Sequence, residues 1–280
     1  MAALTRFSIV LGAASFGIAI VACSTNTSER TPFNTMNAEV PAEQPTTEEE
    51  ETTPPPNQTQ PSSPTGDASA PEVKDDCKKA PPSNACGVAP QCGCSASETC
   101  DVIDSKGNVG CVAHGKAAMG HPCTSTAGCG KGLLCVFGTC HAPCNNPGDA
   151  CGVANTGSCM QVNATGGVAI PNLAVCLVSC DPVNPTSCGG KTAAGTGVCL
   201  VDDEGTTDCQ SGGNVAENGA CGPNAECGPG LVCINQTTGG SVCKKWCKVA
   251  SGKADCGGTQ DCRSFQTKVM VGTVEYGACP

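Results

Sequence analysis

Cysteine usage constrains this chain more than any other feature. Of its 27 cysteines, Cys23 stands alone at the end of an N-terminal apolar segment, and the other 26 all lie between Cys77 and Cys279. They make up about an eighth of that stretch, a density that reads as a disulfide scaffold, and disulfides persist only outside the reducing cytosol. One thiol is set apart, and an even number is left to pair.

The N-terminus agrees with export. Arg6 precedes a charge-free run of 16 residues at 7–22, FSIVLGAASFGIAIVA. A bilayer-spanning helix needs about 20 apolar residues, so the length predicts a signal peptide over 1–22. Ile20, Val21 and Ala22 followed by Cys23 resemble the bacterial lipobox. That resemblance implies that the Cys23 thiol takes a diacylglyceryl group, and that small Ala22 lets a peptidase reach the bond before it. Each buried CH₂ of an acyl chain contributes about 0.8 kcal/mol, so two or three chains anchor a protein where one is marginal. Ser24, where Asp would signal retention, resembles the default outer-membrane destination. The expected location is the bacterial cell envelope, lipid-anchored, at the outer membrane or cell surface. The alternative is an ordinary signal peptide with Cys23 incidental.

Residues 23–76 predict a disordered acidic tether. Beyond Cys23 the segment has no cysteine, nine prolines and a single aromatic, Phe33; eleven acidic residues face only Arg30 and Lys74, a local charge of −9. Such a composition buries too little apolar surface to offset its ordering entropy. Its 53 residues after Cys23 give a coil dimension of about 40 Å, and more if charge repulsion extends it. It reads as a stalk, with a tail for a basic partner as the alternative. The net charge of −10 resides almost wholly here, and it excludes a phosphate backbone as partner: no nucleic acid is expected.

The remainder divides by cysteine spacing into repeats. A C-x5-C-x5-C unit occurs at Cys123, Cys129, Cys135, Cys140 and again at Cys221, Cys227, Cys233, Cys243, as CTSTAGCGKGLLC and CGPNAECGPGLVC. A looser four-cysteine unit occurs at Cys144, Cys151, Cys159, Cys176, at Cys180, Cys188, Cys199, Cys209, and at Cys247, Cys256, Cys262, Cys279. Cys77, Cys86, Cys92, Cys94, Cys100 and Cys111 form an N-terminal cap unit. Every unit holds an even number, so thirteen disulfides can close locally, although their connectivity does not follow from the spacing. The division is a six-cysteine unit at 77–113, modules over 114–213, and an eight-cysteine module at 214–280.

The fold class expected is small and disulfide-rich, mainly β hairpins and loops in tandem modules. CDVIDSKGNVGC at 100–111 and CLVDDEGTTDC at 199–209 each run strand, Asp, Gly turn, strand. FQTKVMVGTVEY at 265–276 suits a last hairpin turning at Gly272. Phe137, Trp246, Phe265 and Tyr276 are the only aromatics after Cys77, so a hydrophobic core is expected to be nearly absent. Disulfides replace it at about 2–4 kcal/mol each.

The string G-x-x-C-x5-C-x-x-G-L-x-C-x-x-G-x-C at 120–140 resembles the N-terminal cysteine-rich module of Dickkopf proteins and related EGF-like modules. The match covers 120–144 and, with a longer fourth loop, 219–247. It implies small disulfide knots that present binding loops and perform no catalysis. The whole layout also resembles bacterial cysteine-rich surface lipoproteins.

No motif supplies other chemistry. There is no C-x2-C for zinc, and His114, His121 and His141 stand apart in Gly- or Ala-rich contexts and read as surface residues. The C-x-C at Cys92 and Cys94 reads as two divergent disulfides rather than a metal pair. Asp202, Asp203, Glu204 and Asp208 crowd one turn and offer oxygen ligands for Ca²⁺, but the EF-hand order is missing and a solvated turn is the reading taken. Sequons at Asn26, Asn57, Asn163 and Asn235 would matter in a eukaryotic secretory route, and the lipobox resemblance makes them incidental. No nucleophile–base pair or phosphate loop is present. Catalytic, metal and cofactor sites are therefore expected to be none. The function expected is a lipid-anchored, non-enzymatic surface protein whose modules bind an extracellular protein or glycan. The rivals are a protease inhibitor presenting CVFGTC at 135–140, and a passive spacer or coat.

Overall fold

The computed structural model describes residues 86–236, 240–258 and 260–280. The signal segment, the lipobox with Cys23, the tether and Cys77 lie outside the described residues. Within them the chain is a series of antiparallel hairpins, and the only helical turns are short 3-10 turns at Thr126–Gly128 and Val249–Ser251.

One motif, repeated six times, accounts for the whole fold. Strands β1 (Glu98–Val102) and β2 (Val109–Ala113) form the first hairpin, and β3 (Leu134–Val136) and β4 (Thr139–His141) the second. The third joins β5 (Thr156–Asn163) to β6 (Ala169–Val178), and the fourth joins β8 (Gly195–Val201) to β9 (Thr207–Ser211), with β7 (Lys191–Thr192) at the edge. In the last sheet β10 (Leu231–Gln236), β11 (Gly240–Lys248), β13 (Val274–Ala278) and β12 (Arg263–Val271) lie side by side in that order.

In five hairpins two cysteines stand directly opposite one another: Cys100 and Cys111, Cys135 and Cys140, Cys159 and Cys176, Cys199 and Cys209, Cys233 and Cys243. These facing cysteines do not bond each other. Each reaches back to one of the two cysteines in the loop before its hairpin. The pairs are Cys86–Cys100 and Cys94–Cys111, Cys123–Cys135 and Cys129–Cys140, Cys144–Cys159 and Cys151–Cys176. They continue as Cys180–Cys199 and Cys188–Cys209, Cys221–Cys233 and Cys227–Cys243, Cys247–Cys262 and Cys256–Cys279. In every four-cysteine group the first bonds the third and the second the fourth. The cap, the tight unit and the looser unit are thus one device, a loop laced across the base of a hairpin, and the spacing differs only because loop lengths differ.

The duplicated string shows why its glycines recur. Gly132 and Gly230 hold positive φ of 80° and 76°, a region L side chains avoid. Gly130 and Gly228 donate to the carbonyls of Ala117 and Val215, at 2.8 and 2.9 Å, where the incoming chain runs parallel to the module. The final hairpin turns in two residues at Gly272, φ 60°, as a tight hairpin turn with glycine first requires.

The expectation of almost no core is corrected. Trp246, with Phe265 and Tyr276 edge-on to it at 5.6 and 6.3 Å, packs with Val232, Ile234, Val269, Ala278 and Val201. A second cluster joins Cys86, Val88 and Cys100 of the cap to Leu134 and Val136 of the next module and to Val162, Leu173 and Val175 of the third. These clusters cross module boundaries. A chain of alternating apolar strands, each too short for its own core, still buries its apolar faces by stacking hairpin on hairpin. The modules therefore close covalently one by one but are packed together.

Candidate functional site

The polar centre of the described fold is a clasp between the second and fourth hairpins. The two-residue turn at Phe137 and Gly138 sets the register of β3 and β4, so His141 stands opposite Leu134 and on its buried face. His141 is fully buried, which corrects its reading as a surface residue. Its Nε2 donates to Asp208 Oδ1 at 3.1 Å, and its Nδ1 to the Thr139 carbonyl at 3.0 Å. Both ring nitrogens face acceptors, an arrangement that favours the doubly protonated, charged ring. Burial alone opposes that charge, but the Asp208 carboxylate and the carbonyls outweigh it and hold the His141 pKa above its ordinary value.

Asp208 serves three elements at once. Its Oδ1 also accepts the Val178 backbone N–H at 2.9 Å, and Oδ2 accepts the Gln210 amide at 3.1 Å. Thr139 Oγ1 donates to the Cys209 carbonyl, and Ser211 N–H to the Phe137 carbonyl at 2.7 Å. Thr139, His141 and Asp208 share the residue types of a hydrolytic triad without its geometry. The hydroxyl is committed to Cys209, the ring donates to backbone, and all three are sealed from solvent. This arrangement fastens hairpins together.

Of the four carboxylates grouped at the acidic turn, only Asp208 departs from the solvated-turn reading. Asp202 Oδ1 accepts the N–H groups of Glu204 and Thr206, at 2.9 and 2.7 Å, which fixes the turn, while Asp203 and Glu204 are exposed. Asp208 faces inward to His141, so the four carboxylates do not converge. Asp104 holds the first hairpin in the same way. It accepts from the N–H groups of Lys106 and Asn108 and from the Asn108 amide, whose hydrogen bond is the main cause of a carboxyl pKa below the ordinary value. His114 is half-buried with its ring against the carbonyls of Gly115 and Ala96, and His121 is exposed. Where three sulfurs converge, as at Cys123, Cys129 and Cys135, they belong to two neighbouring disulfides and are not thiolates.

The loop at 135–140 proposed for a protease cleft is docked instead. Val136 and Thr139 are buried, and a Cβ on Gly138 would meet the Ser211 side chain at 2.5 Å. Of the C-x-C pair, Cys94 bonds Cys111, whereas Cys92 is buried and bonds none of the described cysteines.

A second clasp ties the fourth module to the last. Asp181 Oδ2 accepts Lys248 Nζ at 2.7 Å, and its Oδ1 accepts the Tyr276 hydroxyl at 3.2 Å. Burial first, then the Asp181 charge, raises the Tyr276 phenol well above its ordinary pKa. Two clefts open beside the cap. The larger, about 660 Å³, lies between the loop at 87–92, the β1–β2 turn and β6; the smaller, about 390 Å³, shares Ala89, Pro90, Cys144 and Asn145 with it.

Sequence reasoning missed the His141–Asp208 clasp, although a signal was present: once CVFGTC is read as a two-residue hairpin, His141 must pair with Leu134 and turn inward with it. No family model, no curated protein and no solved structure matches this chain.

Proposed function

We propose that this is a lipid-anchored cell-surface protein whose stalk carries a stapled array of hairpin modules for binding an extracellular protein or glycan, without catalysis. The observation that carries this reading is the sixfold use of one laced-hairpin motif. Twelve disulfides lock the bases of the hairpins, while several turns are exposed, with Ile103 and Val168 standing apolar at two hairpin ends. A rigid base with variable exposed turns suits recognition more than chemistry. The lipobox residues Ile20, Val21, Ala22 and Cys23 and the acidic segment at 24–76 supply the anchor and the reach.

Changing Cys23→Ala is expected to move the protein from the membrane fraction to the soluble fraction, or to leave the precursor uncleaved. Unchanged membrane retention with normal processing refutes the anchor. For the binding array, the soluble fragment 77–280 is expected to bind intact cells or extracellular matrix saturably. Linear, unsaturable adsorption supports a passive coat instead.

A further inference from the structure

We infer that Cys77 forms a disulfide with Cys92, in the wall of the larger cleft beside the cap. Twenty-four cysteines are consumed in twelve bonds that all follow one rule, first to third and second to fourth. Cys92 is the cysteine that stands outside this rule, and it is buried. Outside the described residues the chain has only Cys23 and Cys77.

The geometry favours Cys77. Gly87 and Cys92 exchange two backbone hydrogen bonds, of 3.0 and 3.1 Å, so the chain at Cys86 and Gly87 runs beside Cys92. Cys86 and Cys92 line the same cleft. Eight residues lie between Cys77 and Cys86, a reach of up to about 30 Å when extended, so Cys77 can come back to Cys92 with length to spare. Cys23 is separated from Cys92 by the entire acidic segment, and its local concentration there is far lower.

Apart from Cys92 itself, no ionisable side chain lines the cleft; its polar groups are the amides of Asn108, Asn145, Gln161 and Asn172 beside Val88 and Leu173. Among the described residues the Asn145 side chain has no hydrogen-bond partner. Formation of the bond removes two protons and two electrons from the two thiols. The electrons reduce the disulfide of a dithiol oxidoreductase of the exporting compartment by thiol–disulfide exchange.

The test is a peptide map of the full-length protein, unfolded without reductant, alkylated and cut with trypsin. Cleavage after Lys74, Lys78, Lys79 and Lys106 yields peptide 75–78, which carries Cys77, and peptide 80–106, which carries Cys86, Cys92, Cys94 and Cys100. Peptide 75–78 is expected attached to 80–106 and free of alkylation, and in Cys92→Ser it is expected to be released and alkylated. An alkylated 75–78 peptide from the native protein, its attachment elsewhere, or its continued attachment to 80–106 in Cys92→Ser overturns the inference. Should Cys92→Ser fail to fold, alkylation of 75–78 in the native protein still decides it.

Discussion

Replacing Asp208 with alanine is expected to destabilise the fold by about 3–5 kcal/mol, the usual cost of leaving one partner of a buried ion pair uncompensated. The loss is larger than for a surface pair because three donors from three segments, His141, the Val178 backbone and Gln210, lose one acceptor together. Chemical denaturation with disulfides intact measures it. A change below about 1 kcal/mol, the range of exposed pairs, contradicts the clasp. The pH dependence carries a sign. A histidine whose folded pKa is raised contributes stability that is fully present below its unfolded pKa, about 6.5, and is lost as pH rises through the folded value. Wild type is therefore expected to lose stability on the alkaline side of pH 6.5, and His141→Gln to lack that slope. An unchanged slope in the variant contradicts a charged His141.

Trp246→Ala is expected to cost about 3–5 kcal/mol as well, the range for truncating a buried aromatic. Trp246 is 5% exposed and is the pivot of the last core, with Phe265 and Tyr276 edge-on to it. Because Val201 of the fourth module packs in the same cluster, the damage is expected to reach β8 while every disulfide remains closed. Hydrogen exchange in Gly195–Val201 reports this directly. A variant whose faster exchange stops at β10–β13 shows that the modules are energetically independent.

The clasp and the last core separate what cysteine spacing encodes from what it leaves open. The hairpins at 100–111, 199–209 and 265–276 were legible because alternation, an aspartate and a glycine lie between cysteines at hairpin spacing, and each chooses the same local structure. All three form, with Cys100 opposite Cys111 and Cys199 opposite Cys209. The pairing rule was not legible, since facing cysteines invite a direct cross-strand bond and only the path of the preceding loop shows that they reach backward. The clasp was hidden for a different reason. His141 and Asp208 lie 67 residues apart, and long-range pairing of two polar side chains leaves no periodic trace in either strand. Asp208 was drawn to the acidic turn by proximity in sequence, yet it lies within β9, buried from Thr207 to Gln210, whereas Asp203 and Glu204 stay exposed in the turn. The core was underestimated because aromatic content was its measure, whereas much of the buried surface comes from Val, Leu and the cysteines themselves.

Assignment of all the disulfides by partial reduction of the purified 77–280 fragment tests the repeated-module architecture most directly. The prediction is that every bond among Cys86 to Cys279 closes within its own group, first cysteine to third and second to fourth. A bond joining any cysteine of the block at 221–279 to one in the stretch at 86–209, or one facing pair such as Cys135 and Cys140 bonded to each other, contradicts it.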